Sequence, residues 1–150
     1  MHMKATISGK ALASALAIPE SEWRNLGNGL RLRIISRTRA HSQDADGAGF
    51  QPYSPGYAAA KAKKGGITGG GRVNLTGAGA GAKMLDNITV LQTSATTNPR
   101  VLLGFALADK NRIANYHMGE GRVDRLFFAF SDDDQEFGVD YLRKRLQSRA

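Results

Sequence analysis

The chain has 150 residues, 41% of them apolar, no cysteine, and a formal net charge of +8 from 21 basic and 13 acidic side chains. That length suits one domain with a real core, and no apolar run nears the roughly 20 residues that a membrane span needs. The absence of cysteine excludes a disulfide framework, a thiolate zinc site and a cysteine nucleophile. The positive balance favours polyanionic partners, nucleic acid first, or else simply a soluble basic surface.

In chain order, the opening "MHMKATISGKALASALAIPE" is broken by Lys10 and Pro19 and does not read as a signal peptide. A short strand fits Lys4 to Ser8. From Pro19 to about Arg39 the pattern predicts an amphipathic helix, because Trp23, Leu26, Leu30 and Ile34 recur at spacings of three and four. Glu20 and Glu22 at its start and Arg37 and Arg39 at its end complement the helix dipole. Gly27 and Gly29 oppose this helix, at about 1 kcal/mol each. Gly27 lies beside the apolar stripe, where it could let another backbone approach.

Residues 41–57, "HSQDADGAGFQPYSPGY", form a turn-rich connection. Ser54 and Pro55 then supply an N-cap and a first-turn residue for a short helix through "GYAAAKAKK". The glycine-rich stretch 65–81 is poor in core residues and reads as a loop or arm ordered by a partner. It is not a nucleotide loop. Lys83 lacks the preceding glycine and the following hydroxyl of a P-loop. Gly77 to Ala82 match G-x-G-x-x-A only formally, with a poor strand before them and no acidic residue at 97–107.

Beyond it, "AKMLDNI" predicts a short helix leading into a strand, Ile88 to Thr93. A second strand follows in "RVLLGFAL", with Val101, Leu103 and Phe105 alternating onto one face. The turn residues between them make an antiparallel hairpin. "RLFFAF", 125–130, reads as a third strand buried on both faces. The last helix is the clearest, with Ser131 as N-cap, Asp132 to Asp134 in the first turn, and Arg143, Lys144, Arg145 and Arg149 toward its end. Its apolar residues fall on two sides. Val139, Leu142 and Leu146 form one stripe, and Phe137 and Tyr141 lie almost opposite, which points to a partner subunit or to a larger intramolecular core.

The fold class expected is therefore α+β: a small antiparallel sheet of three to four strands against two longer helices, with a Gly-rich arm at about 64–81. Nothing argues for catalysis, a metal or a cofactor. His2, His41 and His117 lack the i, i+4 spacing of a helical zinc site, and His117, with Glu120 nearby, reads as a structural histidine at a helix end. The acids of "SDDDQE" are explained by a helix N-terminus. Candidate phosphate contacts are Lys61, Lys63, Lys64 and Arg72, without the aromatic interleaving of a single-strand binder. The candidate subunit interface comprises Phe137, Tyr141, Gly69, Gly70, Gly71, Gly77 and Gly79.

Three stretches together give a further expectation: "GFQPYSPGYAAAKAKKG" (49–65), "VNLTGAGAGAKMLDNITV" (73–90) and "IANYHMGEGRVDRLFFAFSDDD" (113–134). In order and spacing they resemble the phage virion morphogenesis and tail completion proteins. Two departures are visible: Gly77 to Ala82 lengthen the turn before the Met-Leu pair, and Asp124 stands before Arg125 where the family often has proline. The resemblance implies a non-enzymatic structural protein of the neck or head-proximal tail. Such a protein assembles as a ring, a hexamer being favoured, with other neck and tail proteins as partners. Its basic residues would lie near packaged DNA, it would need no membrane, and it would sit in the virion after assembly in the host cytoplasm. The rival from another class is a small basic module that binds nucleic acid without sequence specificity.

Overall fold

Trp23, Leu26, Leu30 and Ile34 are fully buried, and they set the geometry of everything around them. In a computed structural model that describes residues 5–8, 18–63, 73, 75, 84–95, 99–121 and 124–148, they form the inward stripe of helix α1 (Glu20–Ser36). A π-helical turn, Arg37–His41, extends α1 and closes at Ser42, whose φ of 55° reverses the chain. The architecture is α+β, with an antiparallel sheet.

Strands β2 (Ile88–Ser94) and β3 (Arg100–Phe105) form the hairpin, in register from Ile88 opposite Phe105 to Ser94 opposite Arg100. A bulge between Val90 and Gln92 shifts that register. Strand β1 (Ala5–Ser8) pairs with the other edge of β3, giving the order β1-β3-β2. Val101, Leu103 and Phe105 are buried on one face of β3, as alternation requires.

Helix α1 lies across β2 and β3, and Gly27 is what lets it settle there. A Cβ at Gly27 would stand 2.8 Å from Val90 Cγ2 and 3.0 Å from Val101 Cγ2. The close approach is thus by valine side chains of the sheet rather than by another backbone. Arg31 Nε donates to the Ile88 carbonyl at 2.6 Å, pinning the helix to the start of β2.

The remaining helices are α2 (Pro55–Lys63), α3 (Ala108–His117) and α4 (Asp132–Gln147). A 3-10 turn, Leu85–Asn87, precedes β2. Helix α4 opens with a reciprocal capping box. The Asp134 amide donates to Ser131 Oγ and the Ser131 amide to Asp134 Oδ2, both at 3.1 Å.

Residues 125–130 are not a strand. Phe127 and Phe128 are buried as expected, but the backbone carbonyls go elsewhere. The Ala45 amide donates to the Leu126 carbonyl at 2.9 Å, and Arg37 Nη2 donates to the carbonyls of Phe127 and Ala129 at 3.3 and 2.8 Å. A guanidinium and a loop amide thus take the bonds that a neighbouring strand would have taken.

Helix α3 is marked in the sequence only by His117 at its end. Its buried residues are Asn111, Ala114 and Asn115, so no large apolar period marks it. The glycine-rich arm at 64–81 lies mostly outside the described residues. Its two described members, Val73 and Leu75, are buried in the core, contrary to the expectation of a stretch poor in core residues. Leu75 takes this place in a left-handed conformation, φ 49°.

Candidate functional site: a buried cationic cluster around Tyr53

Tyr53 sits just before α2, and its phenol collects residues from distant parts of the chain. Lys61, two turns into α2, donates from Nζ to Tyr53 Oη at 2.9 Å, and its ammonium also lies 4.3 Å from the Tyr53 ring centroid. The Arg125 guanidinium lies 5.4 Å from the same centroid. The Leu75 backbone lies close enough to the phenol to lower its pKa. Tyr57 packs edge-on against Tyr53, ring centroids 5.0 Å apart.

Arg125 is held from two further sides. Its Nη1 donates to His117 Nδ1 at 3.1 Å, and Nη2 donates to the Gln51 carbonyl at 3.1 Å. An arginine is always a donor, so His117 Nδ1 accepts and the ring proton stays on Nε2. The Arg125 amide also donates to the His117 carbonyl at 2.6 Å. These bonds come from the C-terminus of α3 and from the loop before α2.

The electrostatics follow from burial. Lys61 is 4% exposed and Arg125 5%. Enclosure lowers the pKa of Lys61 and Arg125, because a charge in a low-dielectric place is disfavoured, and the Arg125 charge lowers that of Lys61 further. Burial also raises the Tyr53 phenol, against the Leu75 backbone and Arg125, which lower it. Burial, Arg125 and Lys61 together bring His117 down to about 4, so it is neutral at physiological pH. His117 is indeed built into the structure at a helix end, with Arg125 rather than Glu120 as its bonded partner.

The phosphate contacts expected from sequence fare differently. Lys61 is not a surface lysine: its ammonium is held against Tyr53, with the stem inside. Lys63 is exposed. Lys64, Arg72, Gly69, Gly70, Gly71, Gly77 and Gly79 lie outside the described residues.

Phe137 and Tyr141 are half-buried, and each has partners within the chain. Phe137 packs against α1 so closely that a Cβ at Gly29 would lie 2.9 Å from its Cζ, and Arg33 stacks over its ring at 5.1 Å. Tyr141 Oη donates to Glu22 Oε2 at 2.7 Å, with Arg145 Nε 3.1 Å from the same oxygen. The cause is geometric. The inward side of α4 is wide, running from Phe137 through Asp134, Tyr141 and Gly138 to Leu142, so α1 and the core cover both apolar groups. Of the two stripes, Val139 is the exposed member.

A second polar cluster joins α4 to α1. Asp134, 1% exposed, accepts from Arg33 Nε at 2.7 Å and Arg37 Nη1 at 2.5 Å as well as from the Ser131 amide. A cleft of about 300 Å³ beside it is lined by Arg37, His41, Gln43, Ser131 and Asp133 among others. With its oxygens already bonded, Asp134 fixes the fold and is poorly suited to take a proton from a ligand. Among the described residues no group of three or more His, Asp or Glu could hold a metal ion, and no helix is long and apolar enough to cross a membrane.

The cluster around Tyr53 was not visible as a site in the sequence. Its members come from separate segments, and Arg125 opens a run of strand composition. No family model, curated protein or solved structure matches this chain.

Proposed function

We propose that the chain is a structural protein of a tailed-phage virion, acting at the neck or head-proximal end of the tail without catalysing a reaction. One observation carries the reading. Residues from all three stretches that resemble the tail completion proteins lie in one cluster: Tyr53 and Lys61 from the first, Leu75 from the second, and Arg125, over the Tyr53 ring and bonded to His117, from the third.

In this reading the protein works as a ring of identical subunits, a hexamer being favoured, that completes the tail and joins it to the head. Phe137 and Tyr141 are occupied within the chain, so ring contacts fall to other surfaces, where Leu32, Leu107 and Val139 are exposed apolar side chains. The glycine-rich segment 64–81, tied to its own core by Val73 and Leu75, contributes its remaining residues to a neighbouring subunit. Exposed basic residues, Lys63 among them, face packaged DNA.

Cryo-electron microscopy of the intact particle tests this. A closed ring of this chain at the head–tail joint is the expected result, and absence from finished particles overturns it. A stable monomer that binds duplex DNA, with log affinity falling linearly in log salt, would instead establish the rival nucleic-acid-binding module, which the net charge of +8 favours.

A further inference from the structure

Tyr57 and Tyr116 stand at the two ends of one layer of rings. Tyr57 packs edge-on against Tyr53, ring centroids 5.0 Å apart. The Arg125 guanidinium lies 5.4 Å from the Tyr53 centroid and bonds His117 Nδ1 at 3.1 Å. His117 in turn meets Tyr116 edge-on, with centroids 5.9 Å apart. The middle of this layer is wholly or partly buried, but its end rings are open: Tyr57 is 52% exposed and Tyr116 53%. Each is held from behind, Tyr57 by Tyr53 and Tyr116 by Gly121, where a Cβ would lie 2.9 Å from Tyr116 Cζ. Cations stand close in the chain. Arg112 is exposed one turn before Tyr116 on α3, and Lys63 is exposed at the end of α2, whose first turn carries Tyr57. Among the described residues every ion pair goes to some other cation than these two. Glu120 and Asp124, both exposed, follow α3, so Arg112 and the two acids lie on opposite sides of Tyr116 along the chain.

We propose that Tyr57 and Tyr116 are stacking platforms for a single-stranded nucleic acid, with Arg112 and Lys63 contacting its phosphates. An aromatic ring already held in place loses little freedom when a base stacks on it, and every base has a face to stack, whatever the sequence. The flanking cations and the net charge of +8 favour a polyanion over a protein surface as the occupant. A duplex suits the rings less well, because its bases are already paired and stacked and freeing one is costly. The aromatic interleaving that the lysine-rich segment lacks along the chain is thus supplied across the fold, by rings from α2 and α3. The inference does not rest on the assembly role proposed above.

The test uses the full-length chain and a short fluorescein-labelled oligothymidylate, read by anisotropy, with a duplex of the same length in a second arm. The single strand should bind more tightly than the duplex at equal salt. Tyr57→Ala and Tyr116→Ala should each weaken single-strand binding about fivefold or more, while Tyr57→Phe and Tyr116→Phe, which keep the ring, should bind as the parent does. Arg112→Gln should lower the slope of log affinity against log salt by about 0.7. Should an alanine variant fail to fold, ring-¹³C tyrosine spectra of the parent decide: the Tyr57 and Tyr116 signals should move as the oligonucleotide is added, while that of Tyr141, bonded to Glu22, stays. Equal affinity for strand and duplex, with both alanine variants unaffected, reduces the binding to charge alone and overturns the platform. Failure to bind the single strand overturns it too, and a Tyr116→Ala chain that then loses self-association would make the rings a subunit contact instead.

Discussion

Arg37 and Asp134, 97 residues apart in the chain, form an ion pair at 2.5 Å that locks the end of α1 to the start of α4. The arginine does more than neutralise the acid. Its other nitrogen holds the Phe127 and Ala129 carbonyls, so one guanidinium both anchors the helix N-terminus and occupies the bonds of a would-be strand.

Replacing that carboxylate should therefore be severe. Asp134→Ala leaves Arg37 enclosed without its partner and removes half of the capping box. A loss of about 3–5 kcal/mol is expected, since breaking a buried pair strands a charge. Urea unfolding measures it, and a loss below about 1 kcal/mol would show that water or Ser131 replaces the acid.

Gly27→Ala should destabilise the fold although alanine is the better helix former. The new methyl meets two stiff valine side chains at 2.8 and 3.0 Å, and overpacking of this kind costs about 1–3 kcal/mol. Val90→Ala in the same chain should recover most of the loss. A Gly27→Ala chain more stable than the parent would mean that α1 sits farther from the sheet than the structure places it.

Leu142→Ala should cost about 2–5 kcal/mol, as expected for a buried leucine. Phe137→Ala should also lower monomer stability, by about 2 kcal/mol for its half-buried ring, because the ring lies against Gly29 and Arg33. Sedimentation of the Phe137→Ala chain should show an unchanged oligomeric state. A folded variant with altered assembly would restore Phe137 as an interface residue.

Deleting residues 65–81 should destabilise the domain and not merely impair assembly, because Val73 and Leu75 leave the core with them. Thermal melts of the deletion, compared with Val73→Ala and Leu75→Ala, separate the contributions. A deletion chain as stable as the parent would show that those two side chains add nothing to the fold.

Acid should weaken the protein in two windows. His117 has its folded pKa near 4, below the ordinary 6.5, so the unfolded chain binds the extra proton first. Stability from this group is complete above about pH 6.5 and falls as pH drops toward 4, by at most about 3 kcal/mol and less for a partly exposed ring. Asp134 acts lower. Burial raises its carboxyl, but Arg33, the Ser131 amide and Arg37 outweigh burial and hold it below the usual carboxylate range. Its stabilisation is present above the unfolded carboxylate pKa and is lost as pH falls through the folded value. Urea midpoints from pH 7 to 4.5 should slope downward in the parent and flatten in His117→Gln.

Local rules made much of this chain legible. The stripe from Trp23 to Ile34, the Ser54–Pro55 helix start, the alternation in β3 and the Ser131 cap depend on neighbours a few residues away, where period and capping act directly. α+β could be read for the same reason. What only the tertiary structure decided involves partners that no local pattern encodes. Helix α3 turns Asn111, Ala114 and Asn115 inward, so it lacks the apolar period that betrays a helix. Residues 125–130 have strand composition, yet Arg37 and Ala45 claim their carbonyls. Phe137 and Tyr141 looked outward on a helical wheel until α1 was laid beside them. The cluster at Tyr53 gathers Lys61, Leu75, His117 and Arg125 from separate segments, and a site assembled by packing has no signature in any one of them.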